Sequence, residues 1–189
     1  TVLREHRSAI ILSMLLTWVL SAAIVVVILM TPTLLQTLYG FDAATALKAN
    51  SLAIVFLSLG CVAAGAIVDR VGAGRVLLLG GLLLGVTSWT FYSSLKLHPE
   101  WLFPLYALTG LFVGTIGAVP FVMVNAFPPV VRFSGLSFSY NVAYAIFGGL
   151  TPLVVSLLIK ADPLGPAYYV AALCGLAVII GLYLRGKGR

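Results

Sequence analysis

Ser134, Ser137, Asn141 and Tyr144, with Gly148 after them, recur at intervals of three and four residues, which on a helix places them in one stripe. Hydroxyls, a carboxamide and a phenol are neutral hydrogen-bonding groups at physiological pH. They can grip a polar molecule but do not by themselves move protons or attack a carbonyl. Two uses compete. The stripe is either hydrogen-bonding glue between helices, with Gly148 as a close-packing site, or the wall of a cavity that touches a substrate. Arg132 lies just before the stripe. It reads either as an anchor in lipid headgroups or as an attractor for an anion.

Other chemistries lack their residues. His6 and His98 fall outside the apolar stretches, so no histidine is placed to activate a serine within a membrane. A row of spaced arginines, a carbonyl filter, paired Asn-Pro-Ala turns and a Gly-rich phosphate loop are all absent. Cys61 and Cys174 stand alone within apolar segments and read as packing residues. No enzyme activity, cofactor or metal site is therefore expected.

The elements that must position the stripe are apolar throughout. Residues 8–41, 49–68, 76–95, 101–131, 133–159 and 163–184 contain no Asp, Glu, Lys or Arg. Each can cross a hydrocarbon core of about 30 Å, which takes about 20 residues of helix. The chain is 61% hydrophobic and 8% charged, against about 25% charged in soluble domains. Backbone inside lipid must satisfy its own hydrogen bonds, and these stretches have no period of two, so they read as helices. The expectation is an all-α polytopic membrane protein, one domain over 1–189, with spans near 9–38, 46–68, 76–95, 101–126, 134–159 and 166–185.

Charge gives orientation. Arg4, Arg7, Arg70, Arg75, Arg132, Arg185, Lys187 and Arg189 with Glu5 and Asp69 fall on one side, a net +6; Lys48, Lys96 and Lys160 with Asp42, Glu100 and Asp162 fall on the other, a net of zero. The positive-inside rule then puts both termini in the cytoplasm. The basic balance reflects topology and contact with an anionic bilayer, and no nucleic-acid partner is expected. The chain opens on Thr1 with no cleavable leader before the first span, which reads as a piece of a longer polypeptide.

Pro32 and Pro120 stand late in the first and fourth spans. Those positions correspond if the helices form two triplets of opposite topology, a 3+3 inverted repeat, although prolines are common enough in membrane helices for coincidence. Gly110, Gly114 and Gly117 in the fourth span read as a close-packing stripe. Asn50 and Ser51 read as solvated at the outer interface.

The segment Gly65-Ala66-Ile67-Val68-Asp69-Arg70-Val71-Gly72-Ala73-Gly74-Arg75 resembles the loop signature of the major facilitator superfamily, Gly-x-x-x-Asp-Arg-x-Gly followed by basic residues. Ala73 and Gly74 stand where the strongest examples have a basic pair. Gly65 suits a close helix approach, Asp69 docking at a helix N-terminus, Arg70 pairing with a carboxylate, and Gly72 a tight turn. The run Val131–Asn141, then Ala145–Pro152, with Ala167-Tyr168-Tyr169, is similar to the C-terminal half of the metabolite:proton symporters of that superfamily, the citrate, α-ketoglutarate, shikimate and proline/betaine carriers.

The resemblance implies a 12-helix parent in a bacterial inner membrane, whose two six-helix lobes rock about a small-molecule substrate. It implies symport with protons and a partner that is the N-terminal lobe or a second copy. It adds Thr17, Ser21, Thr31 and Asn125 as candidate cavity residues, because the first and fourth helices of each lobe line the cavity. No span carries an ionisable residue away from its ends, so a coupling carboxylate would belong to the other lobe. The alternative is a fragment or packing lobe that folds or oligomerises without transporting.

Overall fold

The computed structural model describes residues 6–186. Of the residues used to assign orientation, Arg4, Glu5, Lys187 and Arg189 lie outside the described residues. Six helices are long and apolar enough to cross a membrane: α1 (Arg7–Thr37), α2 (Ala43–Val71), α3 (Ala73–Ser94), α4 (Pro99–Ala126), α5 (Arg132–Ala161) and α6 (Gly165–Gly186). No strand occurs among the described residues. The chain is an all-α protein with six helices of membrane-spanning length.

Short connections carry recognisable turn chemistry. Asp42 caps α2, its Oδ2 accepting from the Thr45 N–H at 2.9 Å, and these hydrogen bonds hold its carboxyl below the usual range. Asp162 closes the α5–α6 turn by accepting from the Leu164 N–H at 2.8 Å and the Tyr168 hydroxyl at 3.1 Å. The α2–α3 connection differs from the expected loop. Helix continues to Val71 and resumes at Ala73, so Asp69 and Arg70 sit in the last turn of α2 and Arg75 in the first turn of α3. Gly72 makes the whole reversal at φ +84°, a conformation glycine adopts without steric cost.

Packing is organised in pairs. The most extensive contacts join α2 to α4, α3 to α6, α3 to α4 and α1 to α5. Three of these pairs exchange among themselves when the triplet α1–α3 is swapped with α4–α6, whereas α3–α4 has only a weak counterpart in α1–α6. Between α2 and α4 the backbones touch: a Cβ on Gly110 would meet the Ala53 carbonyl, and one on Gly114 the Leu57 carbonyl. Small residues bring membrane helices this close because dispersion and Cα–H contacts replace the hydrophobic drive that lipid removes. Gly117 packs against Cys61, so the fourth-span stripe has the packing role read from its spacing.

Three helices depart from α geometry, each in the turn or two before a proline. A π-helical turn at Val25–Met30 precedes Pro32, a 3-10 turn at Thr115–Gly117 precedes Pro120, and a π turn at Tyr144–Gly148 precedes Pro152. A proline has no N–H to give the preceding turn, so a carbonyl there must find another donor or reach water. In α1 the Thr31 hydroxyl donates to Val26 O at 2.8 Å and the Tyr106 hydroxyl of α4 donates to Val27 O at 2.6 Å. In α5 the Thr151 hydroxyl donates to Phe147 O at 2.6 Å. Pro32 is thus matched in local structure by Pro152, each preceded by threonine, more closely than by Pro120.

Candidate functional site

Helix α5 is the least buried of the six. Ser134, Asn141 and Tyr144 are exposed and Ser137 and Gly148 half-buried. Asn141 Nδ2 donates to Ser137 O at 2.8 Å and lies 3.3 Å from Ser137 Oγ. Its Oδ1 accepts from none of the described residues. The Tyr140 and Tyr144 rings lie 5.6 Å apart, and Tyr144 covers Gly148, whose added Cβ would sit 3.3 Å from the Tyr144 ring. The structure therefore gathers Ser137, Asn141, Tyr144 and Gly148 into one exposed patch, with Ser134 a turn below.

A triad of side chains ties this patch to the rest of the lobe. The Thr151 hydroxyl of α5 is 3.0 Å from the Tyr169 hydroxyl of α6, which in turn accepts the Trp18 indole N–H of α1 at 3.2 Å. Trp18 stacks on Phe147 with centroids 4.5 Å apart and planes 11° apart. Aromatic donors withdrawn from water normally find acceptors, and here the half-buried Trp18 and Tyr169 do so across three helices at the π turn next to the patch.

The remaining candidates lie elsewhere. Arg132 is half-buried, and its Nε donates to Phe127 O at 3.3 Å, which fastens the α4–α5 turn. Asn125 is exposed, donates to Phe121 O at 2.9 Å, and lines a small crevice with Leu12, Ala73 and Leu184. Neither Arg132 nor Asn125 belongs to the α5 stripe. Thr17, Ser21 and Thr31 are fully buried, contrary to the expectation that they line a cavity. Thr17 donates to Ser13 O, Ser21 to Trp18 O, and Thr31 bridges Val26 O and the Tyr92 hydroxyl. Membrane hydroxyls turned into a lobe use their own helix as acceptor. Asn50 is likewise not simply solvated, since its side-chain amide lies 2.5 Å from the Tyr106 hydroxyl.

At the opposite end of α2, Gly65, Asp69 and Arg70 are exposed. A Cβ on Gly65 would meet open space, so no helix of this lobe uses the close approach that glycine allows there. Asp69, Arg70 and Arg75 make no ion pair among the described residues. Groups of histidine, cysteine, aspartate or glutamate able to hold a metal ion are absent among the described residues.

Comparison with known proteins finds membrane transporters. The chain is 33% identical over 162 residues to a citrate-proton symporter of Salmonella typhi, covering 82% of this chain and 37% of that protein. It is 30% identical over 166 residues to a protein of Staphylococcus aureus named as a proline/betaine transporter, covering 84% of this chain and 35% of that protein. A citrate-proton symporter of Klebsiella pneumoniae is 36% identical over 128 residues, covering 64% of this chain and 29% of that protein. The chain is a homologue of these membrane transporters. It spans about a third of the length of the relatives it matches, consistent with the C-terminal half of a major facilitator carrier. No family model and no solved structure matches it.

Residues that sequence reasoning passed over carry much of the lobe's internal wiring. Trp18, Tyr92, Tyr106, Thr151 and Tyr169 join helices through hydroxyl or indole hydrogen bonds. The signal available for them was the repeated Thr-Pro pair, Thr31-Pro32 and Thr151-Pro152.

Proposed function

We propose that this chain is the C-terminal six-helix lobe of a secondary active carrier for a small polar metabolite, an organic acid or zwitterion, coupled to protons. The observation that carries this reading is the exposed Ser137–Asn141–Tyr144 patch on α5. A polar patch on the least buried helix is costly against lipid and favourable against a water-filled cleft. Its partner is the N-terminal lobe of the same carrier or a second copy, and the carrier lies in a bacterial inner membrane with both termini cytoplasmic. The relatives' names support transport and symport.

In this account Asn141 Oδ1, the Tyr144 phenol and the Ser137 hydroxyl bind substrate. Arg132 and Asn125 flank the path near the cytoplasmic mouth, and Ser134 lies between that mouth and the patch. The coupling carboxylate belongs to the partner lobe, because the spans here supply no acid or base away from their ends. Asp69, aided by Arg70, docks the cytoplasmic end of α2 on the N-terminus of a partner-lobe helix when the cytoplasmic side closes. Gly65 gives the clearance and Gly72 and Arg75 hold the turn. The helix breaks before Pro32 and Pro152 let the outer halves of α1 and α5 bend while the packed pairs move as units.

The test is uptake into proteoliposomes of citrate and glycine betaine, by this chain alone and with its N-terminal lobe. Uptake that needs both lobes and a proton gradient supports the reading. No uptake by the joined lobes, with the fold intact, would make the chain a packing lobe.

A further inference from the structure

We propose that the cleft between α2 and α3 is a binding site for one acyl chain of an acidic phospholipid, whose phosphate is held between Arg70 and Arg75. The cleft has a volume of about 260 Å³ and is lined by Ala63, Ile67 and Val71 of α2 and Val76, Leu79 and Leu83 of α3, with α4 as its floor. Its walls are apolar over the distance from Gly60 to Val71, about 16 Å of helix. That is about half the depth of a 30 Å hydrocarbon core, the length of one leaflet's chains.

Charge at the mouth selects the headgroup. Arg70 lies three residues from Ile67 on α2, and Arg75 lies four before Leu79 on α3, so each stands on the rim of the cleft at the Gly72 turn. Both are exposed and neither pairs with a carboxylate among the described residues. The nearest acid, Asp69, is two residues from Ile67, which turns it about 200° away to the other side of α2. The segment is therefore divided: Gly65 and Asp69 share the face available to a partner lobe, Arg75 flanks the lipid-filled side, and Arg70, about 100° round the helix from Asp69, stands on the edge between the two. Ile67, Val71, Leu79 and Leu83 are 37–57% exposed within the lobe, as residues in contact with an acyl chain would be. The proposal rests on the orientation given above in placing the lipid in the cytoplasmic leaflet, where acidic lipids attract cations.

The experiment is native mass spectrometry of the purified chain with phosphatidylglycerol and with phosphatidylcholine of identical chains. Phosphatidylglycerol should be retained in preference, and Arg70→Gln/Arg75→Gln should weaken its retention by about fivefold per arginine. Leu79→Trp, which fills the cleft from an exposed position, should abolish the preference, and Ala63→Phe provides a second filling variant should the first misfold by circular dichroism. Lys48→Gln/Lys96→Gln, at the other end, should change nothing. Equal retention of both lipids overturns the site, as does displacement of lipid by a second copy. Loss on removing the arginines without loss on filling the cleft reduces it to a cationic surface, and binding of glycerol phosphate as tight as that of the lipid overturns the acyl component. Labelling of Arg75→Cys from the outer face would defeat the orientation alone and leave the lipid result standing.

Discussion

The Thr151 and Tyr169 hydroxyls meet at 3.0 Å, one residue before Pro152 and across the α5–α6 boundary. Thr151 already donates its proton to Phe147 O, so Tyr169 supplies the proton of the shared bond while accepting from Trp18. One phenol thus fixes the bend of α5 relative to α1 and α6. Tyr169→Phe should destabilise the protein by about 1 kcal/mol, since interhelical hydrogen bonds in membranes average about 0.6 kcal/mol and two are lost. A double-mutant cycle with Thr151→Val, read by unfolding in mixed micelles, should give a coupling of about 0.5 kcal/mol or more. Strict additivity would show that the two hydroxyls do not cooperate.

Gly114 and Gly65 make opposite predictions from the same substitution. A methyl group at Gly114 meets the Leu57 carbonyl, whereas at Gly65 it meets nothing. Gly114→Ala should cost about 1 to 3 kcal/mol by overpacking two backbones, and Gly65→Ala should leave the isolated lobe's thermal stability unchanged. If Gly65→Ala then impairs transport in the complete carrier, that glycine serves the contact with the partner lobe.

How much of this was legible in the sequence follows from the range of the forces involved. The six spans were legible because lipid forbids charge and demands helix over about 20 residues at a time, and both constraints are local. The row Ser137, Asn141, Tyr144 was legible because helical spacing is local too. The π turn at Val25–Met30 was not, since it rests on Tyr106, 79 residues away along the chain from Val27. Thr17, Ser21 and Thr31 were misread for the same reason. A hydroxyl that bonds its own helix and one that lines a cavity look alike until the neighbouring helix is placed. Asp69 was assigned to a loop because the charge-free stretch ends at Val68 and the segment resembles a loop signature, whereas the helix runs on to Val71 and Gly72 alone reverses the chain.

Asp42 gives a pH signature outside the membrane. Its carboxyl is held below the usual range by hydrogen bonds from Thr45, so its capping contribution is present above the unfolded pKa of about 3.9 and is lost as pH falls through the lower folded value. Hydrogen-exchange protection of the Thr45 amide should decline on acidification below about pH 4, with the middle of α2 unaffected. Asp42→Asn should retain part of the protection and lose its pH dependence. A decline that persists in Asp42→Asn would assign the effect to another group.

Asp69→Asn tests the cytoplasmic latch. Docking of a carboxylate at a helix N-terminus contributes about 0.3 to 1 kcal/mol, and about 2 when partly buried. Losing it should shift the complete carrier toward cytoplasm-open conformations, read as longer distances between spin labels across the inner mouth, with the isolated chain's fold intact. If the isolated chain instead fails to fold while the carrier's conformational balance stays put, Asp69 is a structural residue of this lobe.

The central claim is that the exposed patch on α5 touches substrate, and Asn141→Ala in the complete carrier tests it most directly. One lost hydrogen bond to a neutral group contributes about 0.5 to 1.5 kcal/mol, so substrate Kd by calorimetry should rise about two- to thirteenfold with expression and thermal stability unchanged. An unchanged Kd, or a loss of stability in place of affinity, would contradict the claim and make Ser137, Asn141 and Tyr144 part of the packing between lobes.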